Sequence, residues 1–302
     1  MQETRYPRNP SSGSDRNRVF IILFTAAALV TVCAMIAYFA LVSYFDRGVA
    51  IGEAVAVVDI QGEIYYDRWK LNEIESHRDN DNVKAVVLFI NSPGGGVAAS
   101  QALHRAVLDL RLEKPVIAYM ASVAASGGYY VACAADSIMA TEGTLTGSIG
   151  VIASFLRTEE LFQKIGLDVT VIKSGRYKDV GSPHREMTES EKAYMGDLLD
   201  EVYRQFLLAV SETRRIPLEE VEDLAEGRLY TGEQAVEVGL ADRLGSYEDA
   251  ILMAARMGGI EGEPDVVKKR RRRSLWDRIM GETYASMARE RQERISLKYI
   301  IP

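Results

Sequence analysis

Residues 85–110 read AVVLFINSPGGGVAASQALHRAVLDL. Ala85–Ile90 is a short apolar run that fits a strand buried on both faces. Val97–Leu110 spaces its apolar residues as one face of a helix does. Between them, Asn91-Ser92-Pro93-Gly94-Gly95-Gly96 lets the backbone turn sharply. The pattern repeats on either side. Ala54–Ile60, Val116–Met120, Ser137–Ala140 and Val169–Ile172 are further strand-like runs, and Gly127–Ala134 and Thr158–Ile165 are helix-like. This alternation predicts an α/β fold with crossovers and a largely parallel sheet. After Lys178 the chain turns mainly helical. Glu189–Arg214 reads as a long amphipathic helix, opened by Thr188 with Glu191 three residues on, a capping box. Pro217 ends it or starts the next helix, and Ala235–Leu240 and Asp249–Met257 are short helical stretches. No internal repeat is visible, and the body, about residues 54–258, is one domain by size.

The 302 residues carry a formal net charge of −7, and 47% are apolar, enough for a core. The acidic balance argues against nucleic acid as a partner. The charge is uneven: residues 1–18 carry +2 and residues 265–302 carry +6, which leaves −15 on residues 46–264. Val19–Phe45 is a run of 27 uncharged residues. As a helix it spans about 40 Å at ~1.5 Å per residue, more than the ~30 Å hydrocarbon core requires. A cleaved signal peptide has a shorter apolar region and ends in small residues. This run ends in Ser43-Tyr44-Phe45, so an uncleaved anchor is expected. Arg5, Arg8, Arg16 and Arg18 precede it and Arg47 alone closely follows, which keeps the N-terminus in the cytoplasm and puts the body outside. The two cysteines, Cys33 and Cys133, exclude a disulfide framework and a cysteine zinc site.

Two stretches have the makings of a site. The glycine turn before Val97 aims backbone N–H groups as an anion or oxyanion site does, and it equally fits an ordinary strand-to-helix turn. No Gly-Lys-Ser/Thr follows, so it is not a nucleotide loop. Ala121–Tyr130, ASVAASGGYY, follows the strand Val116–Met120 and flanks Ser126 with small residues. A nucleophilic serine at a strand-to-helix turn needs such neighbours, because bulk blocks the approaching carbonyl. The N–H of Gly127 then points at the developing oxyanion. The competing reading is a small-residue packing helix. Of the three histidines, His77, His104 and His184, none has the partners of a Ser-His-Asp set. The other known base for a serine is a lysine, which must be desolvated to be neutral near pH 7. Lys173 and Lys178 both lie in IKSGRYKD, just after Val169–Ile172, and the residues alone do not choose between them.

Taken in order, SPGGG, ASVAASGGYYVACAADSIMA, GTLTGSIGV, IKSGRYKD and GRLYTGEQAVEVGLADRLG resemble the signal peptide peptidase SppA family, in its short, membrane-anchored form. The resemblance covers roughly Ala54 to Met257. It implies a serine endopeptidase with a Clp/crotonase-like α/β fold of repeated ββα units, a helical C-terminal part and one transmembrane helix in front. It makes Ser126 the nucleophile and Lys178, not Lys173, the base, with the N–H groups of Gly95 and Gly127 as the oxyanion hole and no metal or cofactor. It also implies a homo-oligomeric ring in which the serine and lysine of one site come from adjacent protomers. The substrates would be signal peptide remnants and other apolar peptides, met at the membrane lipid. The expected organisation is a cytoplasmic N-terminus (1–18), an anchor (19–45), a peptidase domain (46–258) and a basic tail (259–302). A crotonase-type acyl-CoA enzyme is disfavoured by the anchor, and a non-catalytic ring-forming membrane scaffold by the presence of both dyad residues.

The tail has two readings. Its cluster Lys268–Arg273 suits a linker or a contact with anionic lipid. The closing Ile295–Ile301 alternates apolar and polar residues and suits an extended strand lying in a peptide groove, where it would damp activity. Removing the chain after Pro264 is the direct test. The arginines before Val19 give a prediction about topology. A reporter active only outside the cytoplasm, fused after Pro302, should score positive, and protease added to spheroplasts should reach the body. Protection of the body would reverse the assignment.

Overall fold

A computed structural model describes residues 14–45, 52–269 and 298–300. The chain divides into two units, Met1–Val49 and Ala50–Pro302. The first contains helix α1, Ser14–Phe45. Its stretch Ile21–Tyr38, with a mean hydropathy of 2.4, is long and apolar enough to cross a membrane. The hydroxyls of Thr25 and Thr31 donate back to the carbonyls of Ile21 and Ala27, which satisfies them within the helix.

The second unit runs β1 (Ala54–Gln61), α2 (Arg68–Arg78), β2 (Val83–Ser92), β3 (Gly94–Gly96), α3 (Val97–Arg111), β4 (Val116–Ala125), α4 (Gly127–Ala132), β5 (Ser137–Ala140) and β6 (Leu145–Gly147). It continues with α5 (Glu159–Lys164), α6 (Glu189–Arg214), α7 (Leu218–Leu224), β7 (Leu229–Thr231), α8 (Gly232–Glu237), β8 (Arg243–Leu244), α9 (Tyr247–Met257), β9 (Asp265–Lys268) and β10 (Lys298–Ile300). The fold is the mixed α/β one expected, and β2, β3 and α3 form a ββα unit. The main sheet has the order β7-β6-β4-β2-β1-β9, and β5 pairs with β4 and β8. All pairs in it are parallel except β6 with β7.

The apolar runs have the physical cause inferred for them. Along β1, Ala54, Ala56, Val58 and Ile60 enter one core, with Leu103, Val107 and Phe206 of the helices. Val55 and Val57 point the other way, into a second core with Ala250, Ala254 and Ala255 of α9. A strand covered on both faces has no polar position to alternate with. The capping box of α6 forms as read: the Thr188 hydroxyl accepts from the Glu191 N–H, and the Glu191 carboxylate accepts from the Thr188 N–H.

Three expectations change. Val169–Ile172 is not a strand, since among the described residues no sheet edge reaches it, and Ile172 is 95% exposed. The helix expected at Ala235–Leu240 starts earlier, at Gly232, because Thr231 and Gln234 form its capping box. Asp265–Lys268, assigned by charge to the tail, closes the sheet beside β1, and Lys268 pairs with Asp59 at 2.6 Å. A truncation at Pro264 would therefore strip an edge strand.

Two of the histidines are structural. His104 lies on α3 against the ring of Tyr130, centroids 4.8 Å apart, and burial lowers its pKa to about 4. His77, at the end of α2, is lowered to about 4 by burial and then by Lys269 and Lys114. Between pH 6.5 and 4 the unfolded chain binds a proton at each that the folded chain refuses, so stability falls as pH falls through that window. Each histidine contributes about 1.4 kcal/mol per pH unit, while Glu73, raised by burial, works against them. The variant His104→Phe keeps the ring contact and removes one titration. Urea unfolding across this window should show a shallower slope than in the parent chain; an unchanged slope would exclude His104 as a source.

Candidate active site

Ser126 sits between the last residue of β4 and the first of α4, with φ 54° and ψ −117°. Few residues other than glycine adopt this conformation, and it marks an elbow held by its surroundings. The holding groups are backbone. The Ser126 N–H donates to the Gly147 carbonyl at 2.8 Å, and the Ser126 carbonyl accepts from the Tyr130 N–H at 2.8 Å. Thr146, beside Gly147, donates to the Ala124 carbonyl at 2.6 Å. Ser126 is 1% exposed. Gly127 and Gly128 form the first turn of α4, where backbone N–H groups have no partner inside the helix.

The glycine turn meets this elbow through the register of the sheet, which pairs Ser92 of β2 with Ala124 of β4. A Cβ on Gly128 would lie 2.8 Å from the Ser92 carbonyl oxygen, so α4 and the end of β2 approach backbone to backbone. The three glycines of β3 are held on one side by Ile64. Its N–H donates to the Gly94 carbonyl at 2.7 Å, and its carbonyl accepts from the Gly96 N–H at 2.9 Å. A Cβ on Gly95 would sit 2.2 Å from the Ile64 oxygen, and Gly94 has φ +107°. The other side of β3 is paired, antiparallel, with β10: Lys298 faces Gly96, Tyr299 faces Gly95 and Ile300 faces Gly94. β10 also lies beside α3 and α4. Lys298–Ile300 thus runs extended along the glycine edge, beside the helix that follows Ser126. The linker Arg270–Arg273 and Leu275, Trp276, Ile279 and Met280 lie outside the described residues.

Ser126, Gly127 and Gly95 come together at the ends of β2 and β4. Lys178 lies in the loop between α5 and α6. It is exposed, and among the described residues its ammonium makes neither hydrogen bond nor ion pair. Lys173 is committed: its ammonium pairs with the Asp179 carboxylate and donates to the Arg176 carbonyl at 3.2 Å. Leu156, Leu161, Ile165, Leu167, Val171 and Ile172 are exposed around this loop. Reasoning from sequence missed the roles of Ile64 and Gly147, which act through their backbone groups; glycines in GTLTGSIG were the one signal for the second. No group of three or more His, Cys, Asp or Glu able to hold a metal occurs among the described residues.

Residues 109–261 match the model of Peptidase family S49. The chain is 38% identical over 232 residues to a protein named "Putative protease" from Methanocaldococcus jannaschii, covering 72% of this chain and 74% of that one. It is 37% identical over 191 residues to the chloroplastic serine protease SPPA of Arabidopsis thaliana, covering 63% of this chain and 28% of that one. Protease 4 of Salmonella typhi is 32% identical over 191 residues, 63% of this chain and 31% of that one.

The elbow has a thermodynamic consequence. Alanine at position 126 keeps a Cβ and hence the strain, whereas glycine relieves it. Ser126→Gly should exceed Ser126→Ala in unfolding free energy by about 1 kcal/mol, despite the added freedom of its unfolded chain. Chemical denaturation of the two full-length variants in detergent measures this, and equal stabilities would mean that the elbow stores no strain.

Proposed function

The chain belongs to peptidase family S49 and is a serine protease of the signal peptide peptidase type, and we propose that Ser126 is its nucleophile and Lys178 its general base. The observation that carries this reading is the extended strand Lys298–Ile300 on the glycine edge, beside the helix α4 that Ser126 opens. An edge that takes one extended peptide by main-chain pairing suits another, with its scissile carbonyl brought to the serine. Neutral Lys178 takes the Ser126 proton as Oγ attacks that carbonyl. The N–H groups of Gly127 and Gly95 receive the oxyanion, a role typically worth ~10²–10³ in rate per donor. Protonated Lys178 then protonates the leaving amine, and water releases the acyl group from Ser126.

In a single chain Lys178 is exposed to water, whereas a lysine that serves as a general base has to be desolvated. The reading therefore needs a second copy. The exposed apolar side chains around the lysine loop, Ile172 foremost, suit burial against a neighbouring protomer, and that burial would remove Lys178 from water. We read the assembly as a ring with sites shared between neighbours, the 1–18 segment as cytoplasmic, α1 as the anchor and the body as lying outside. The substrates fitting this arrangement are remnant signal peptides and other apolar peptides arriving from the bilayer. The body extends through β9, and the tail proper begins after Lys269.

The test uses a serine-directed fluorophosphonate probe and a peptide substrate. Ser126→Ala should abolish labelling and cleavage, Lys178→Ala should nearly do so, and Ser122→Ala should retain substantial activity. Full activity in Lys178→Ala would sink the dyad. Mixed Ser126→Ala and Lys178→Ala protein should regain partial activity; inactive mixtures with an intact ring would put the site within one protomer. We also read β10 as occupying the peptide groove. A chain ending at Lys269, which keeps β9, should cleave a small peptide faster than the full chain at low salt, and the gap should shrink as salt rises. Equal rates at every salt concentration would remove the tail from the groove.

A further inference from the structure

Asp179 follows Lys178 directly, and its carboxylate is fully taken up by other cations. Arg185 donates through Nε to Oδ2 and through Nη2 to Oδ1, both at 2.7 Å. Lys173 pairs with Oδ1 as well. The same guanidinium forks onto Glu191, with Nη1 to Oε2 at 2.7 Å and Nη2 to Oε1 at 2.6 Å. Glu191 in turn accepts from the Thr188 N–H at 2.9 Å, at the start of α6. One arginine therefore joins the lysine loop to a helix terminus through two bidentate pairs, a geometry that a lysine in its place cannot reproduce. The electrostatics are correspondingly strong. Asp179 is held well below the usual carboxylate range by Arg185 first and Lys173 second, and Glu191 is held at about 2 by Arg185.

Most of the other cations around the loop are also engaged. Arg157 and Lys192 face Glu186, Lys192 pairs with Glu189 at 2.8 Å, and Arg176 donates to Ser190 at 2.6 Å. Arg176 has no ion pair, but its guanidinium is taken up by Ser190; Lys178 is the cation of this loop whose side chain makes neither hydrogen bond nor ion pair among the described residues. Its natural partner, if set free, is the neighbouring carboxylate. Adjacent cation–carboxylate pairs do form in this chain, as Arg78 with Asp79 at 2.9 Å shows.

We infer that Arg185 is a positioning residue for the protease reaction: it occupies the Asp179 carboxylate and so keeps the neighbouring Lys178 unpaired. A lysine held by a carboxylate favours its charged form and cannot accept the serine proton. Without Arg185, Oδ2 of Asp179 loses its donor, and Lys173 covers Oδ1 alone. This inference rests on the reading of Lys178 as the base, and it adds a requirement that the dyad alone does not contain.

The experiment follows fluorophosphonate labelling of Ser126 in the full-length protein against pH. Arg185→Ala should label at least tenfold more slowly than the parent chain at neutral pH, and the pH of half-maximal rate should rise by about one unit, the lower end of the shift an opposite charge produces. Arg185→Lys should recover part of the rate, since one ammonium cannot fork both carboxylates. The double variant Arg185→Ala with Asp179→Asn should return the pH of half-maximal rate towards that of the parent, because the competing carboxylate is gone. A merely structural arginine predicts the opposite, a double variant no better than the single one, and that result would overturn the inference, as would an unmoved pH profile in Arg185→Ala. Lys178→Ala, run alongside, separates the two levels. If it labels at the parental rate, the base assignment falls and takes this inference with it. If it is inert while Arg185→Ala matches the parent, the positioning role alone falls.

Discussion

At the ends of β2 and β4, main chain packs against main chain with no side chain between. The gaps at Gly95 and Gly128 are too small for a single added carbon. That closeness brings Ile64 onto β3, seats α4 on Ser92 and leaves Ser126 at the bend between strand and helix. It also explains why the region is rich in glycine and alanine. The surrounding sheet, apolar on both faces, is the rigid support that makes so tight an approach repeatable. The strain at Ser126 is small beside the burial around it, which is why a side chain can be kept there at all.

The legible parts of the fold are those whose stabilisation is local or evenly spread. β1, β2 and β5 are readable as unbroken apolar runs because both faces are covered, and α6 is readable to the residue because its capping box is written within four positions. The illegible parts depend on partners far away in sequence. β6 and β7 are three residues each and are held by distant partners, β6 between β4 and β7 and β7 on β6. β9 hides at the edge of a basic run, its place fixed by β1 and by Asp59. Val169–Ile172 has the composition of a buried strand, yet among the described residues no partner strand pairs with it and Ile172 is left exposed.

The site divides along the same line. The small residues around Ser126 and the N–H of Gly127 marked a possible elbow, with a packing helix as the competing reading, and the role of Gly95 came from the family resemblance; the structure packs α4 against β3 and the end of β2. The choice between Lys173 and Lys178 was not readable from residue type or spacing and came from the family resemblance. The structure adds an electrostatic distinction: one lysine is spent on Asp179 and the other is not. Arg185 escaped notice because loop residues six positions from Asp179 and from Glu191 share no helical or strand period.

β3 has consequences for selectivity. An edge of three glycines offers a guest only amides and carbonyls, and so carries almost no information about residue identity. Chains of very different composition compete for it on equal terms, provided they lie straight and keep their own amides. Proline is the exception, since it lacks the donor such a ladder needs. Discrimination among guests has to be supplied by surfaces beyond β3, which frees those surfaces to diverge while the glycine edge stays the same.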